Sequence, residues 1–161
     1  MERKQDIKLK ELHKKLNRHV EEQNDKWESF VYAKQKKFYQ GLDEIEIDGC
    51  RSSEIRYERY AIDRYLSKEK TALDIGCNCG FFTIYVSKML KCIEGVEINP
   101  YLIKIAKDTK DFLEKNHVEF FATSFEKFKT EKKYDIIFSL ANDETIDGNT
   151  KFTFKEYIEK I

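Results

Sequence analysis

Asp74, Gly76 and Gly80 stand in an Asp-x-Gly-x-x-x-Gly spacing within Leu73-Asp74-Ile75-Gly76-Cys77-Asn78-Cys79-Gly80-Phe81-Phe82. Glycines in a sharp turn supply positive φ and let the backbone come close to a ligand. The neighbouring carboxylate can accept hydrogen bonds from a bound cation or from the loop's own N–H groups. A second candidate is Glu97 in Gly95-Val96-Glu97-Ile98-Asn99-Pro100, 21 residues past Gly76. A carboxylate about 20 positions beyond such a loop is where the two hydroxyls of a ribose donate to one side chain. The spacing is not the G-x-G-x-x-G of dinucleotide sites, which argues against NAD, because the pyrophosphate would lose its close-approach glycine.

These residues need elements that bring them to one edge. Residues 71–75, 92–98, 118–122 and 134–140 read as strands. The runs 81–90 and 100–113 read as helices, with Leu102, Ile105, Ala106, Thr109 and Leu113 on one face. Pro100 sits in the first turn of its helix, where its missing N–H costs little. Alternating strand and helix predicts an α/β fold with a parallel sheet covered on both faces, which places Asp74 and Glu97 at the carboxyl ends of adjacent strands.

The first half of the chain is different. From Ile7, apolar residues recur at Leu9, Leu12, Leu16, Val20, Trp27, Phe30, Val31 and Phe38, with no Gly or Pro before Gly41. This predicts a long amphipathic helix with a candidate break at Asn24-Asp25, then an irregular link over 41–50 and a second helix over 54–66. Its apolar stripe can cap a core, pair with another chain or dock on a partner. The chain has 161 residues, 30 Lys+Arg, 30 Asp+Glu and 14% aromatics, enough bulky surface for a core and against global disorder. Residues 1–40 carry 11 basic and 7 acidic side chains and the remainder 19 and 23, too small a basic excess to indicate a nucleic-acid surface. No apolar run reaches the roughly 18–20 residues of a membrane span, and the N-terminus has no signal-peptide core. The expectation is a soluble cytoplasmic protein whose four cysteines, Cys50, Cys77, Cys79 and Cys92, are reduced thiols. No His-x-x-x-His pair accompanies Cys77-x-Cys79, so no metal site is expected, and His13, His19 and His117 are isolated.

From about Glu54 onward the sequence resembles the class I S-adenosylmethionine-dependent methyltransferases. Residues 73–80 look like that family's first motif and residues 95–100 like its second, with Glu97 on the cofactor ribose. The resemblance implies a Rossmann-like open sheet in the strand order 3-2-1-4, preceded by an N-terminal helical extension over residues 1–50. The cofactor-binding domain would cover 51–161. It places the methionine moiety of S-adenosylmethionine over Gly76, Cys77 and Asn78, with Asp74 near its ammonium group and Gly80 closing the loop. Ile98 follows Glu97, Ser124 and Phe125 correspond to the adenine-contacting stretch, and Leu140 ends strand four beside the transfer site. Asn142 and Asp143, just beyond, are the candidates to orient or deprotonate the acceptor.

Three departures bear on this. Asn78 replaces a second glycine of the loop, and Asn tolerates left-handed backbone. Ser124 stands where an Asp usually accepts from the adenine amino group, leaving a neutral acceptor. Residues 139–142, Ser-Leu-Ala-Asn, are neither the Asn/Asp-Pro-Pro-Tyr of exocyclic-amine methylation nor a cytosine C5 motif with Pro-Cys. Residues 49–60 are similar to a segment of bacterial methyltransferases, some fused to carbohydrate-active proteins, and more distantly to enzymes of the tRNA wobble uridine. In that segment Arg51, Arg56 and Arg59 can bind a carboxylate or phosphate, or form ordinary helical Glu–Arg pairs. The family's sheet has seven strands, and the last three have no counterpart here. The expectation is a partial domain with strand four as an exposed edge open to self-association or a partner chain. Function is expected to be methyl transfer to a small-molecule, glycan or RNA acceptor. The alternative is a non-catalytic cofactor-binding or scaffold module acting through the N-terminal helix.

Overall fold

The structure is a computed structural model that describes residues 2–140 and 151–161. Helix α1 spans Glu2–Lys26. Its buried positions Leu12, Leu16, Val20 and Gln23 recur at helical spacing and pack against a later helix, α4 (Pro100–Phe112). Full burial of each aliphatic side chain is worth about 1.5–3 kcal/mol. Polar links flank this stripe: Lys15 and His19 both reach Asp108, at 2.6 and 2.7 Å, and Lys104 reaches Glu22 at 3.0 Å.

The helix ends close to the candidate break, and the apolar positions beyond it do not continue its stripe. Residues 27–39 run as irregular chain with one 3-10 turn at Lys34–Lys36, flanked by positive φ at Ala33 and Lys37. Tertiary burial overrides the helical period here, because Phe38 enters the core while Trp27 and Phe30 turn toward a cavity.

The predicted link is more structured than expected. Strand β1 (Gln40–Gly41) pairs in parallel with β2 (Arg51–Ser52), and between them Leu42 and Ile45 are fully buried. Gly49 is required by this pairing, since a Cβ on it would lie 2.2 Å from the carbonyl carbon of Gln40. Helix α2 (Ser53–Tyr60) starts on Ser52, whose Oγ accepts from the Ile55 N–H. It stops at Ala61 in left-handed conformation, short of the predicted Leu66, and a 3-10 turn at Asp63–Tyr65 follows.

The main sheet contains β3 (Thr71–Ile75), β4 (Cys92–Glu97), β5 (Val118–Ala122) and β6 (Ile136–Ser139). All are parallel, in the order β5-β4-β3-β6. This is the 3-2-1-4 order expected, and β6 forms one edge among the described residues. Helix α3 (Phe81–Ser87) and α4 cover one face over a core that includes Phe81, Phe82, Ile84, Ile93 and Ile105. The residues of β3 alternate, so Leu73 and Ile75 face the other side and pack with Val96, Phe128 and Tyr157. Tyr157 belongs to α5 (Phe154–Lys160), which begins in a Thr153–Glu156 capping box. No helix of the described residues is long and apolar enough to cross a membrane. The three histidines are structural links: besides His19, His13 Nε2 meets the Ile45 carbonyl at 2.7 Å and His117 Nε2 the Ser87 carbonyl at 3.0 Å.

Candidate functional site

β3 and β4 are adjacent, with Asp74 opposite Gly95 and Ile75 opposite Val96, so their carboxyl ends open together. The chain leaves β3 through Gly76, Asn78 and Gly80, all at positive φ (68°, 55° and 72°). The Gly76 and Cys77 N–H groups both donate to the Val96 carbonyl, at 2.9 and 3.0 Å, which ties the loop to β4. Glu97 closes the pair of loops: one carboxylate oxygen accepts from Asn78 N–H at 3.1 Å and the other from Asn99 N–H at 3.0 Å. Asn99 in turn caps α4, its Oδ1 accepting from Tyr101 N–H, while its Nδ2 donates to Gln23 of α1 at 2.7 Å.

Asp74 is buried on the α3 side of the sheet, where Thr83 Oγ1 donates to it at 2.6 Å. Burial raises its pKa to about 7, against the lowering effects of Thr83 and the Arg56 guanidinium and with a further rise from Glu97. The group therefore sits near half-ionised at neutral pH and is readily polarised by a cation placed beside it.

These residues line a cavity of about 300 Å³, at the small end of ligand sites. Its floor carries Asp74, Gly76, Asn78, Glu97 and Ile98, and its far wall Ser124, Phe125, Leu140 and Tyr157. Gly76 is exposed there, leaving bare backbone for close approach. The structure thus brings eight of the ten expected cofactor residues to one cavity, and Cys77 and Gly80 stand behind it. Cys77 is buried with its Sγ against Gly95, and burial pushes its thiol well above the ordinary range. A Cβ on Gly80 would lie 2.6 Å from Phe120 Cζ and 2.7 Å from Ala106 Cβ, so this glycine lets α3 pack close to the sheet. Cys79 does line the cavity, with burial pushing its thiol up to about 12. Among the described residues no three His, Cys, Asp or Glu side chains cluster as a metal site. Asn142 and Asp143 lie outside the described residues.

The remaining wall comes from a part of the chain in which sequence patterning marks no site. Trp27, Phe30, Tyr32 and Tyr39 line the cavity from the N-terminal segment, with Tyr32 between the rings of Phe30 and Tyr39 at 4.9 and 5.8 Å. Gln40 is buried behind the glycine loop. Its Nε2 donates to the Cys77 carbonyl at 3.2 Å, and its Oε1 accepts from the Phe81 and Phe82 N–H groups at 2.9 and 3.3 Å. Gly80 offers no side-chain cap to α3, so Gln40 supplies one from 41 residues away in the chain. Of the three candidate arginines, Arg56 lines the cavity, whereas Arg51 and Arg59 are exposed and do not.

An open parallel sheet with a ligand-sized crevice at its switch point, walled by a glycine loop and a strand-end carboxylate, defines an α/β protein of the Rossmann-like class. The sequence matches the methyltransferase domain family over residues 72–157, more than half of the chain, and the chain belongs to that family. It is 34% identical over 93 residues to a Methanocaldococcus jannaschii protein named for N5-glutamine methylation, covering 54% of this chain and 47% of that one. A malonyl-acyl-carrier-protein O-methyltransferase of Ilyobacter polytropus is 30% identical over 86 residues, 52% of this chain and 31% of the relative. A 23S rRNA uracil-C5-methyltransferase of Francisella tularensis is 32% identical over 71 residues, covering 44% and 16%. The chain therefore spans less than half the length of each of these relatives. Among solved structures, the bifunctional kinase-methyltransferase WbdD is similar in fold, with a TM-score of 0.58 at 21% identity over 79% of this chain and 28% of that one.

Proposed function

We propose that the chain binds S-adenosylmethionine in this cavity and serves as the methyl-transferring domain, or the cofactor-binding part of one, for a small-molecule, glycan or RNA acceptor. The observation that carries the reading is Glu97, fixed by two backbone N–H groups across a cavity that also holds the buried Asp74. The residues fit the cofactor: Gly76 leaves backbone exposed in the floor, Glu97 is oriented toward the place of a ribose diol, and Asp74 supplies a buried acceptor for an ammonium group. Ser124 and Phe125 stand where the adenine ring is expected. When bound, the cofactor supplies an electrophilic sulfonium methyl group. The chain's own contribution is position and electrostatics. Glu97 and Asp74 set the two ends of the ligand, and the aromatic strap of residues 27–39 excludes water from between them. Such transfer requires no nucleophilic side chain, and the buried, protonated Cys77 and Cys79 thiols are unsuited to that role.

Calorimetric titration with S-adenosylmethionine and S-adenosylhomocysteine, with NAD as the comparison ligand, tests the proposal. Glu97→Ala removes a charged acceptor for two hydroxyls and is expected to weaken binding about 10- to 100-fold, from the roughly 1.5–3 kcal/mol of a hydrogen bond to a charged group. Failure of a demonstrably folded wild-type chain to bind either adenosyl ligand refutes it.

A further inference from the structure

The buried stripe of helix α1 ends on a polar side chain. Leu12, Leu16 and Val20 are aliphatic, and the next position on that face is Gln23, only 2% exposed. Burying an amide on a packing face is costly unless its hydrogen-bonding groups find partners. Gln23 Oε1 has one: it accepts from Asn99 Nδ2 at 2.7 Å, across 76 residues of chain.

The orientation of Asn99 is set from its other side. Its Oδ1 caps α4 by accepting from the Tyr101 and Leu102 N–H groups, at 3.0 and 3.4 Å. The amide must therefore present Nδ2 to α1, and only an acceptor at position 23 satisfies it. With both ends of the side chain held, the turn that carries the Asn99 N–H is fixed, and that N–H donates to Glu97 Oε1 at 3.0 Å. Two hydrogen bonds in series thus connect α1 to the carboxylate proposed for the ribose diol. Docking of α1 has separate support, because Lys15 and His19 meet Asp108 and Lys104 meets Glu22 away from Asn99.

We propose that Gln23 is a positioning residue: it acts through Asn99 on the direction of the Glu97 carboxylate, and so makes the N-terminal helix part of the nucleoside site. The inference rests on the cofactor reading above and extends it from the sheet to α1. A carboxylate that must accept two ligand hydroxyls loses affinity when its direction is free, because the ordering cost then falls on the binding step. A partner behind the contacting group holds that group in place before the ligand arrives.

The test is calorimetric titration with S-adenosylhomocysteine of the wild type, Gln23→Met, Asn99→Ser and Asp108→Asn, each with and without Glu97→Ala. Gln23→Met keeps the length and helix propensity of the side chain and loses the acceptor. Asn99→Ser keeps a capping oxygen and is too short to reach α1. Each is expected to weaken binding about 3- to 10-fold, the factor that corresponds to one ordinary hydrogen bond. Combined with Glu97→Ala, each is expected to cost less than about two-fold, since the group they position is gone. Asp108→Asn, which loosens the same helix pair away from Asn99, is expected to leave affinity within about two-fold. Retained binding shows that each variant is folded, and Asn99→Ser keeps the test open if Gln23→Met does not fold. Unchanged affinity in Gln23→Met and Asn99→Ser, an equal loss in both backgrounds, or a loss in Asp108→Asn that matches theirs overturns the assignment of Gln23 and leaves the cofactor reading standing. A folded wild type that binds neither S-adenosylhomocysteine nor S-adenosylmethionine removes both.

Discussion

Replacing Gln40 by Ala tests whether the N-terminal segment builds the glycine loop or only leans on it. The side chain makes four hydrogen bonds in a buried setting: one donated to the Cys77 carbonyl, two accepted from the Phe81 and Phe82 N–H groups, and one accepted from the Cys79 thiol at 3.7 Å. Truncation leaves all three backbone groups without that partner at the start of α3. A buried group stripped of its partner costs about 1–3 kcal/mol, and partial relaxation or an entering water reduces the sum, so Gln40→Ala should destabilise the fold by about 3–5 kcal/mol. That is a large share of the roughly 5–15 kcal/mol of a typical domain, yet compatible with a folded variant. Gln40→Glu separates the contributions. Its carboxylate still accepts from the two N–H groups at the positive end of α3, but it cannot donate to the Cys77 carbonyl while ionised. Urea denaturation followed by circular dichroism should place Gln40→Glu between the wild type and Gln40→Ala at neutral pH and closer to the wild type in acid. A midpoint for Gln40→Ala that corresponds to less than about 0.5 kcal/mol, the range of an ordinary surface change, refutes the capping role.

Three further predictions concern the same loop. With its pKa raised from 3.8 to about 7 in the folded chain, Asp74 holds its proton more tightly folded than unfolded. Its contribution to stability is therefore most favourable below about pH 4 and is lost as pH rises toward 7. Asp74→Asn should flatten the stability profile over that window, and an unchanged profile in urea titrations at several pH values would show that Asp74 does not titrate there. For the same reason, binding a ligand ammonium beside Asp74 should release protons below pH 7, which calorimetry in buffers of different ionisation enthalpy detects. Gly80→Ala should cost about 2–5 kcal/mol, from a left-handed φ of 72° and a Cβ 2.6 Å from Phe120 Cζ. A thermal midpoint equal to that of the wild type would show that α3 and Phe120 adjust freely.

The elements that follow one period were legible in the chain. Residues 71–75 and 118–122 are strands at their predicted bounds, and α4 covers 100–112, one residue short of its prediction. Strand and helix here depend on side-chain periodicity and on local signals such as Asn99 and Pro100, which a sequence displays directly. The stripe from Trp27 to Phe38 was not legible in the same way. Its spacing suits a helix, but along an irregular path Phe38 is buried in the core while Trp27, Phe30 and Val31 line the cavity. The link over 41–50 was likewise underestimated, because Leu42 and Ile45 are buried by contacts with elements far away in sequence.

The same division runs through the site. The sequence alone determined that Asp74, the glycine loop and Glu97 stand at the exits of two strands, since each lies within a few residues of the strand that carries it. Tertiary structure decided that Glu97 bridges Asn78 and Asn99, that burial sets the proton affinity of Asp74, and that Gly80 and Cys77 stand behind the cavity. It also decided that Gln40 caps α3 and that Arg56, of three similar arginines, lines the cavity. The physical reason is range. Strand exits and turn conformations follow from neighbouring residues, whereas desolvation, capping by a distant side chain and the choice among arginines depend on which surfaces the folded chain brings together.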